Sequence, residues 1–87
     1  MQQDARTRWL CENVRLITTY IVEDASAIQV DACEISPGRV TVQVSVSSDE
    51  IGKLIGRDGR MAEALRGYIK AYEKKHGGRY GLAIQRR

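Results

Sequence analysis

Aromatic side chains are scarce in this sequence of 87 residues, which has no phenylalanine, one tryptophan and four tyrosines. Most of them fall on apolar stripes with helical spacing, so we expect these rings to pack in the core. The residues concerned are Trp9, Tyr20, Tyr68 and Tyr72, while Tyr80 in the last apolar segment fits the core or its rim. An exposed platform of aromatic rings is therefore not expected, and a ligand would have to be held by other groups.

Groups that bind metals or perform acid–base catalysis are equally rare. His76 is the one histidine, and the two cysteines, Cys11 and Cys33, lie far apart without the spacing of metal ligands. We therefore expect no metal, no cofactor and no enzymatic activity. The cysteines are predicted to be buried free thiols, because disulfides are rare in a reducing compartment.

Long apolar runs are also missing. None approaches the roughly 18 residues that a membrane span requires, and no signal-peptide pattern opens the chain, so we expect a cytoplasmic protein without a membrane segment. The length and a composition of 43% hydrophobic and 29% charged residues indicate one globular domain. We assign residues 9–87 to this domain and expect the polar residues 1–8 to form a flexible N-terminus.

Three segments have the apolar periodicity of amphipathic helices. The first runs from about residue 9 to residue 24. A short one starts at residues 47–50 and has Ile51, Leu54 and Ile55 as its apolar face, and a longer one follows Gly59 and ends at a pair of glycines. Ser47 and Glu50 have capping-box spacing ahead of the short helix, so we expect each side chain to bond the other residue's N–H group.

Three further segments alternate apolar and polar residues, as strands with one buried face do. They cover residues 28–32, residues 40–46 with four valines, and residues 80–84. A Pro-Gly turn at 37–38 joins the first two as an antiparallel pair, with room for an irregularity at 33–35. The resulting order α-β-β-α-α-β predicts an α+β domain with helices packed on one face of a three-stranded sheet.

The net charge of +3 conceals a strong asymmetry along the chain. Residues 1–50 carry four Lys and Arg against eight Asp and Glu, whereas residues 51–87 carry ten against three. A basic surface attracts polyanions, although a solvated helix face would have the same composition. The basic half begins where the most informative segment of the sequence begins.

That segment carries Gly56 and Gly59, separated by two residues and placed between two helical segments. A tight turn with few side chains at the start of a helix lets a phosphate approach the backbone, and the helix terminus adds partial positive charge. The segment lacks the Gly-Lys-Ser/Thr of a P-loop and the Gly-x-Gly of a dinucleotide fingerprint. A purely structural connection between two helices is the alternative, since Gly-x-x-Gly alone is common.

With its surroundings, this segment resembles the KH domain, and the order of elements resembles the type II KH fold. The similarity is closer still to the small single-domain bacterial KH proteins of the KhpA type. It covers nearly the whole chain after residue 9. The residues that carry it are Tyr20-Ile21-Val22, the run Asp49-Glu50-Ile51-Gly52-Lys53-Leu54-Ile55-Gly56-Arg57-Asp58-Gly59-Arg60, then Ala62 and Ala64-Leu65-Arg66.

The resemblance implies a protein that clamps the backbone of about four nucleotides of single-stranded RNA with low sequence specificity. It further implies a role as an RNA chaperone or post-transcriptional regulator, and it leaves single-stranded DNA as a second ligand. The bases would lie in a shallow apolar groove between the first of the two helices and the closing strand. The implied binding residues are Gly52, Lys53, Ile55, Gly56, Arg57, Asp58, Gly59 and Arg60.

Asp58 departs from the family pattern, in which this loop position is more often neutral or basic. A carboxylate beside a phosphate path weakens binding, so we expect modest RNA affinity. We expect Asp58 to cap the following helix or to pair with Arg57.

Partners are also implied by the resemblance. One KH module clamps few nucleotides, so a homodimer, or a heterodimer with a larger KH protein of the KhpB type, would add affinity through multivalency. The alternative is a protein-interaction module in which the KH fold serves assembly and RNA binding is secondary. In that case the acidic N-terminal half would be the docking surface for a basic partner.

Overall fold

The structure, a computed structural model, describes residues 5–87 and has the predicted order of elements. Two short 3-10 turns at Ala25–Ala27 and Arg57–Gly59 accompany the helices and strands. The elements are α1 (Ala5–Ile21), β1 (Ile28–Ser36), β2 (Arg39–Val46), α2 (Ile51–Ile55), α3 (Arg60–His76) and β3 (Arg79–Arg86). The predicted α+β fold of KH type II is thereby confirmed.

The three strands form one sheet in the order β1-β2-β3, with β2 in the centre. β1 and β2 pair antiparallel through the Pro37-Gly38 turn, and Gly38 supplies the positive φ of 77° that the turn requires. β3 pairs parallel to β2, because α2 and α3 carry the chain back to the other end of the sheet.

The core lies between one face of this sheet and the helices. The predicted alternation of β2 is confirmed, since Val42, Val44 and Val46 are fully buried while the intervening polar residues face the opposite, partly solvated side. The helices contribute apolar residues from one stripe each, namely Leu10, Val14, Leu54, Leu65, Ile69 and Tyr72.

The first helix differs from the prediction at its start and on its outer face. It begins at Ala5, so residues 5–8 are helical, whereas residues 1–4 of the expected flexible segment lie outside the described part of the chain. The prediction that Tyr20 is a core residue is wrong, because its side chain is 83% exposed. Trp9 is 52% exposed, but its ring stacks on that of buried Tyr72 at a centroid distance of 5.7 Å, so it packs at the edge of the core. The apolar stripe of α1 is wider than the face that the sheet covers, which leaves the Tyr20 ring outside. Tyr72 is buried and Tyr68 is partly buried, as expected.

The end of β1 contains the expected irregularity, and it changes what is exposed there. The register with β2 shifts between Glu34 and Ser36, which leaves Ile35 on the surface. Cys33 is exposed, so the prediction of two buried thiols is wrong for this residue. Cys11 is partly buried, and this burial, followed by the charge of Asp31, raises the pKa of its thiol.

No helix of the described chain is long and apolar enough to span a membrane.

Candidate functional site

The short helix α2 is held in place by a buried carboxylate. Glu50 accepts hydrogen bonds from the backbone N–H groups of Glu23 (2.7 Å) and Asp24 (3.2 Å) and from Lys53 Nζ (3.0 Å). The bond from Lys53, followed by the one from Asp24, lowers the pKa of the Glu50 carboxyl. The predicted capping box is therefore wrong: Glu50 faces the chain after α1 and makes no side-chain cap on α2, and Ser47 bonds α2 through its carbonyl oxygen.

Lys53 is consequently engaged within the fold. Its ammonium lies 3.0 Å from a carboxylate oxygen of Glu50 and 3.2 Å from one of Glu23, and these two partners raise its pKa. Gly52, the preceding residue, is exposed on the same helix and touches nothing that a methyl group would displace. The structure therefore places these two candidate residues one turn away from the glycine loop, with the Lys53 charge already paired.

Gly56 ends α2 in a conformation that only glycine adopts easily. Its φ is 81° and its ψ is 174°, and its N–H group donates to the Gly52 carbonyl at 2.9 Å. A Cβ atom at this position would lie 2.7 Å from Met61 Cβ and 2.9 Å from Met61 N. The first glycine of the motif is thus required by the close packing of the loop against α3.

The second half of the loop is open to solvent. Asp58 (φ 55°, ψ 26°) and Gly59 (φ 74°, ψ 13°) are both left-handed, and a Cβ on Gly59 would meet no atom within 4 Å. Aspartate is among the few residues other than glycine that adopt this region readily. The predicted roles of Asp58 are wrong: Gly59 occupies the N-cap position of α3 without a side-chain bond, and no ion pair joins Asp58 to Arg57 in the described chain.

A shallow hollow of about 310 Å³ lies beside this loop, between the helices and β3. Its apolar surface comes from Ile55, which is 39% exposed, and from Ala62 and Ile84. Its polar lining consists of Asp58, Gly59, Glu63 and Arg66. The hollow lies between the end of α2 and β3, where the groove was expected, but α2 contributes only Ile55 and most of the lining comes from the loop and α3.

Apart from Gly52, Lys53 and Gly56, the candidate residues divide into two groups. Ile55, Asp58 and Gly59 line the hollow, whereas the side chains of Arg57 and Arg60 are exposed around the loop without lining it. Sequence reasoning did not name Glu63 and Arg66 as lining residues. They lie one helical turn after Gly59 and Ala62, and this spacing, which places residues on the same face of a helix, could have identified them. Within the described residues no group of His, Cys, Asp and Glu could hold a metal ion.

Comparison with known proteins decides the family. Residues 12–84 match the family model described as KhpA/KhpB, KH domain. The chain belongs to this family. That match covers β1, β2, α2 and α3 in full, α1 from residue 12 and β3 up to residue 84, and it includes every residue of the loop and the hollow.

Several curated relatives of this family are named RNA-binding protein KhpA. The relative from Aquifex aeolicus is 34% identical over 71 residues, which are 82% of this chain and 89% of the relative. The relative from Streptomyces coelicolor is 43% identical over 51 residues, or 59% of this chain and 63% of its own length. The relative from Mycobacterium tuberculosis is 48% identical over 46 residues, or 53% and 56% of the two chains. The matched region thus spans less than two thirds of the Streptomyces and Mycobacterium proteins.

Proposed function

We propose that this protein binds single-stranded RNA by holding its sugar–phosphate backbone at the loop between α2 and α3. The observation that carries the proposal is the open, left-handed turn at Asp58 and Gly59, directly at the start of α3 and beside an apolar hollow. Relatives over most of the chain bear the name RNA-binding protein KhpA, which supports RNA as the ligand.

The backbone of the loop would receive the phosphates. The hydrogen bonds that close the turn are donated by the N–H groups of Gly59, to Gly56 O, and of Arg60, to Arg57 O. The N–H groups of Arg57 and Asp58 do not take part in closing the turn. The helix dipole adds partial positive charge at the N-terminus of α3, which attracts a phosphate. The exposed side chains of Arg57 and Arg60 would attract the strand.

The bases would lie in the hollow, on the apolar surface of Ile55 and Ile84. About four nucleotides fit a KH module. The loop would hold the sugar–phosphate backbone, which carries no sequence information, so we propose low sequence specificity and, in the cell, a role as an RNA chaperone or post-transcriptional regulator. Lys53 would act indirectly, by holding α2 through Glu50, because its ammonium is already paired.

The test is charge reversal inside the loop. Arg57→Asp converts the loop to Gly-Asp-Asp-Gly and keeps both glycines and the left-handed residue. We expect it to weaken binding of a fluorescein-labelled decauridylate at least tenfold in an anisotropy titration at fixed salt, because an attractive charge at the strand becomes a repulsive one. The control is Lys75→Asp, an equal charge reversal in the last turn of α3, far from the loop.

If the folded Arg57→Asp protein binds decauridylate with unchanged affinity, the proposal is wrong. The same titration with decathymidylate measures the preference for RNA over single-stranded DNA. Tighter binding of the DNA strand would transfer the proposal from RNA to single-stranded DNA.

A second candidate function, assembly through α1, is favoured by the exposed apolar stripe of that helix. Leu16 is 54% exposed and lies between the exposed rings of Trp9 and Tyr20. Such a patch on a polar surface marks a protein interface. We propose a second copy of this chain as its occupant, because exposed Glu12 and Arg15 lie on one side of the stripe, carry opposite charges and would pair across a two-fold axis. A larger KH protein of the KhpB type would be the competing occupant.

A further inference from the structure

The hollow beside the loop is the first of three that follow one another along α3 and β3, with lining residues shared between neighbours, and we call this series the groove between α3 and β3. A second hollow of about 270 Å³ shares Arg66 with the first and is also lined by Arg39 and Lys70. A third, of about 450 Å³, shares Arg39 and Lys70 with the second and adds Arg79 at the far end. Eleven residues of helix separate Gly59 from Lys70, which corresponds to about 16 Å.

Positive charge is concentrated at the end of this groove away from the loop. The hollow at the loop is lined by two carboxylates, Asp58 and Glu63, and one guanidinium, Arg66. The far hollow is lined by three cations and one carboxylate, Glu73. That carboxylate accepts the backbone N–H of Tyr80 at 2.6 Å, so it serves to fix the start of β3.

The three cations of the far end are Arg39, Lys70 and Arg79, and none of them forms an ion pair with the Glu73 carboxylate of the same hollow. Arg39 and Arg79 are direct neighbours across β2 and β3, a like-charge pair that is unfavourable in a sheet. All three residues are exposed, and none of their side chains forms a hydrogen bond or ion pair within residues 5–87. An anion bound between them would relieve this repulsion.

We propose that Arg39, Lys70 and Arg79 form a second phosphate-binding site, which holds the backbone of a longer RNA strand at the end of the groove opposite the loop. The inference rests on the proposed function, since the same strand would pass from the loop along α3 past Arg66. Exposed Ile35, which also lines the far hollow, would offer apolar surface to a base there. This site would compensate for the carboxylates beside the loop.

The experiment compares two double variants that each remove two positive charges from the C-terminal half of the chain. Lys70→Gln with Arg79→Gln removes charges that line the groove, and Lys74→Gln with Lys75→Gln removes two from the last turn of α3. Fluorescein-labelled tetrauridylate and decauridylate are titrated against each protein at several salt concentrations. Thermal unfolding of every variant establishes that it is folded.

We expect the groove variant to bind decauridylate about tenfold more weakly at low salt and tetrauridylate nearly normally. Its plot of log affinity against log salt should become less steep by about 1.4, because each phosphate contact on a single strand contributes about 0.7. Arg39→Gln should reproduce part of this loss from a different element. The unfolding temperature of the free Arg39→Gln protein should stay the same or rise, because the substitution removes the like-charge pair.

Equal losses for the two double variants would overturn the inference, because general charge would then explain them. A decauridylate that binds no more tightly than tetrauridylate would overturn it as well. These results can be distinguished from failure of the proposed function. In that case Arg57→Asp would leave the binding of both oligonucleotides unchanged.

Discussion

At the scale of single residues, the two glycines of the loop have different physical roles. Glycine is required at position 56 because any side chain would collide with Met61. At position 59 it is favoured by the left-handed backbone, although a side chain there would face open space. The motif in the sequence indicated both positions without distinguishing these reasons. The left-handed conformation of Asp58 was also not evident from the sequence, because an aspartate ahead of a helix more commonly serves as its cap.

The role of Gly56 can be tested by comparison with Gly52. Gly56→Ala combines a positive φ with a 2.7 Å contact to Met61 Cβ, so we expect it to lower the free energy of unfolding by about 1–3 kcal/mol. Gly52→Ala lies inside α2 in open space and should stabilise the protein by up to about 1 kcal/mol. Urea unfolding followed by circular dichroism measures both values. Equal stability of the two variants would contradict this explanation.

The charge of Asp58 gives a second prediction at this scale. Asp58→Asn keeps a side chain that tolerates the left-handed region and removes a negative charge from the lining of the hollow. A charge about 7 Å from a phosphate in water contributes about 0.6 kcal/mol, so we expect RNA affinity to rise about threefold. Titration of decauridylate at fixed salt measures it, with exposed Asp49→Asn as the control. Equal or weaker binding by the Asp58 variant would show that the carboxylate does not oppose the ligand.

At the scale of elements, α2 depends on a contact that its own sequence does not contain. A helix of five residues is too short to be stable alone. Its position relies on Leu54 in the core and on Glu50, which joins it to the chain after α1. Ser47 and Glu50 have the spacing of a capping box, but the Glu50 carboxylate accepts hydrogen bonds from the backbone N–H groups of residues 23 and 24 instead. Such a long-range partner cannot be derived from local spacing.

The carboxylate of Glu50 predicts a dependence of stability on pH. Its pKa is lowered in the folded protein, so its contribution is present above about pH 4.3, the ordinary value, and is lost as the pH falls through the lowered folded-state pKa. Glu50→Gln should therefore lower the unfolding temperature at pH 7. The difference in unfolding temperature between this variant and the unchanged protein should become smaller below pH 4. Exposed Glu12→Gln on α1 is the control. A difference that stays constant from pH 7 to pH 3 would contradict this role.

At the scale of the whole molecule, the fold distributes charge and apolar surface over separate faces. Three basic residues of the C-terminal half, Arg66, Lys70 and Arg79, line the groove between α3 and β3, joined by Arg39 from the acidic half of the chain. The outer face of α1 instead carries Trp9, Leu16 and Tyr20. A dimer formed through α1 would leave the groove of each copy available, so two short clamps could act on one RNA with higher effective affinity.

This arrangement predicts the effect of a charge at the centre of the α1 stripe. Leu16→Lys should convert a dimer to a monomer, because burying an unpaired ammonium at the interface is costly. Native mass spectrometry over a range of protein concentrations measures the change. Exposed Ala71→Lys on α3 is the control and should keep the dimer. A monomer at every concentration without substitution would refute self-association, and dimer loss in the control would place the interface elsewhere.

The sequence by itself determined the order of the elements, the buried face of β2 and the position of the glycine loop. These features follow from local periodicity and from the conformational freedom of glycine, which depend on neighbouring residues alone. Only the tertiary structure decided which part of the wide apolar stripe of α1 is covered, where the carboxylate of Glu50 finds its partners, and that Arg39 joins Lys70 and Arg79. The physical reason is that burial, ion pairing and electrostatic potential depend on distances between residues far apart in the chain.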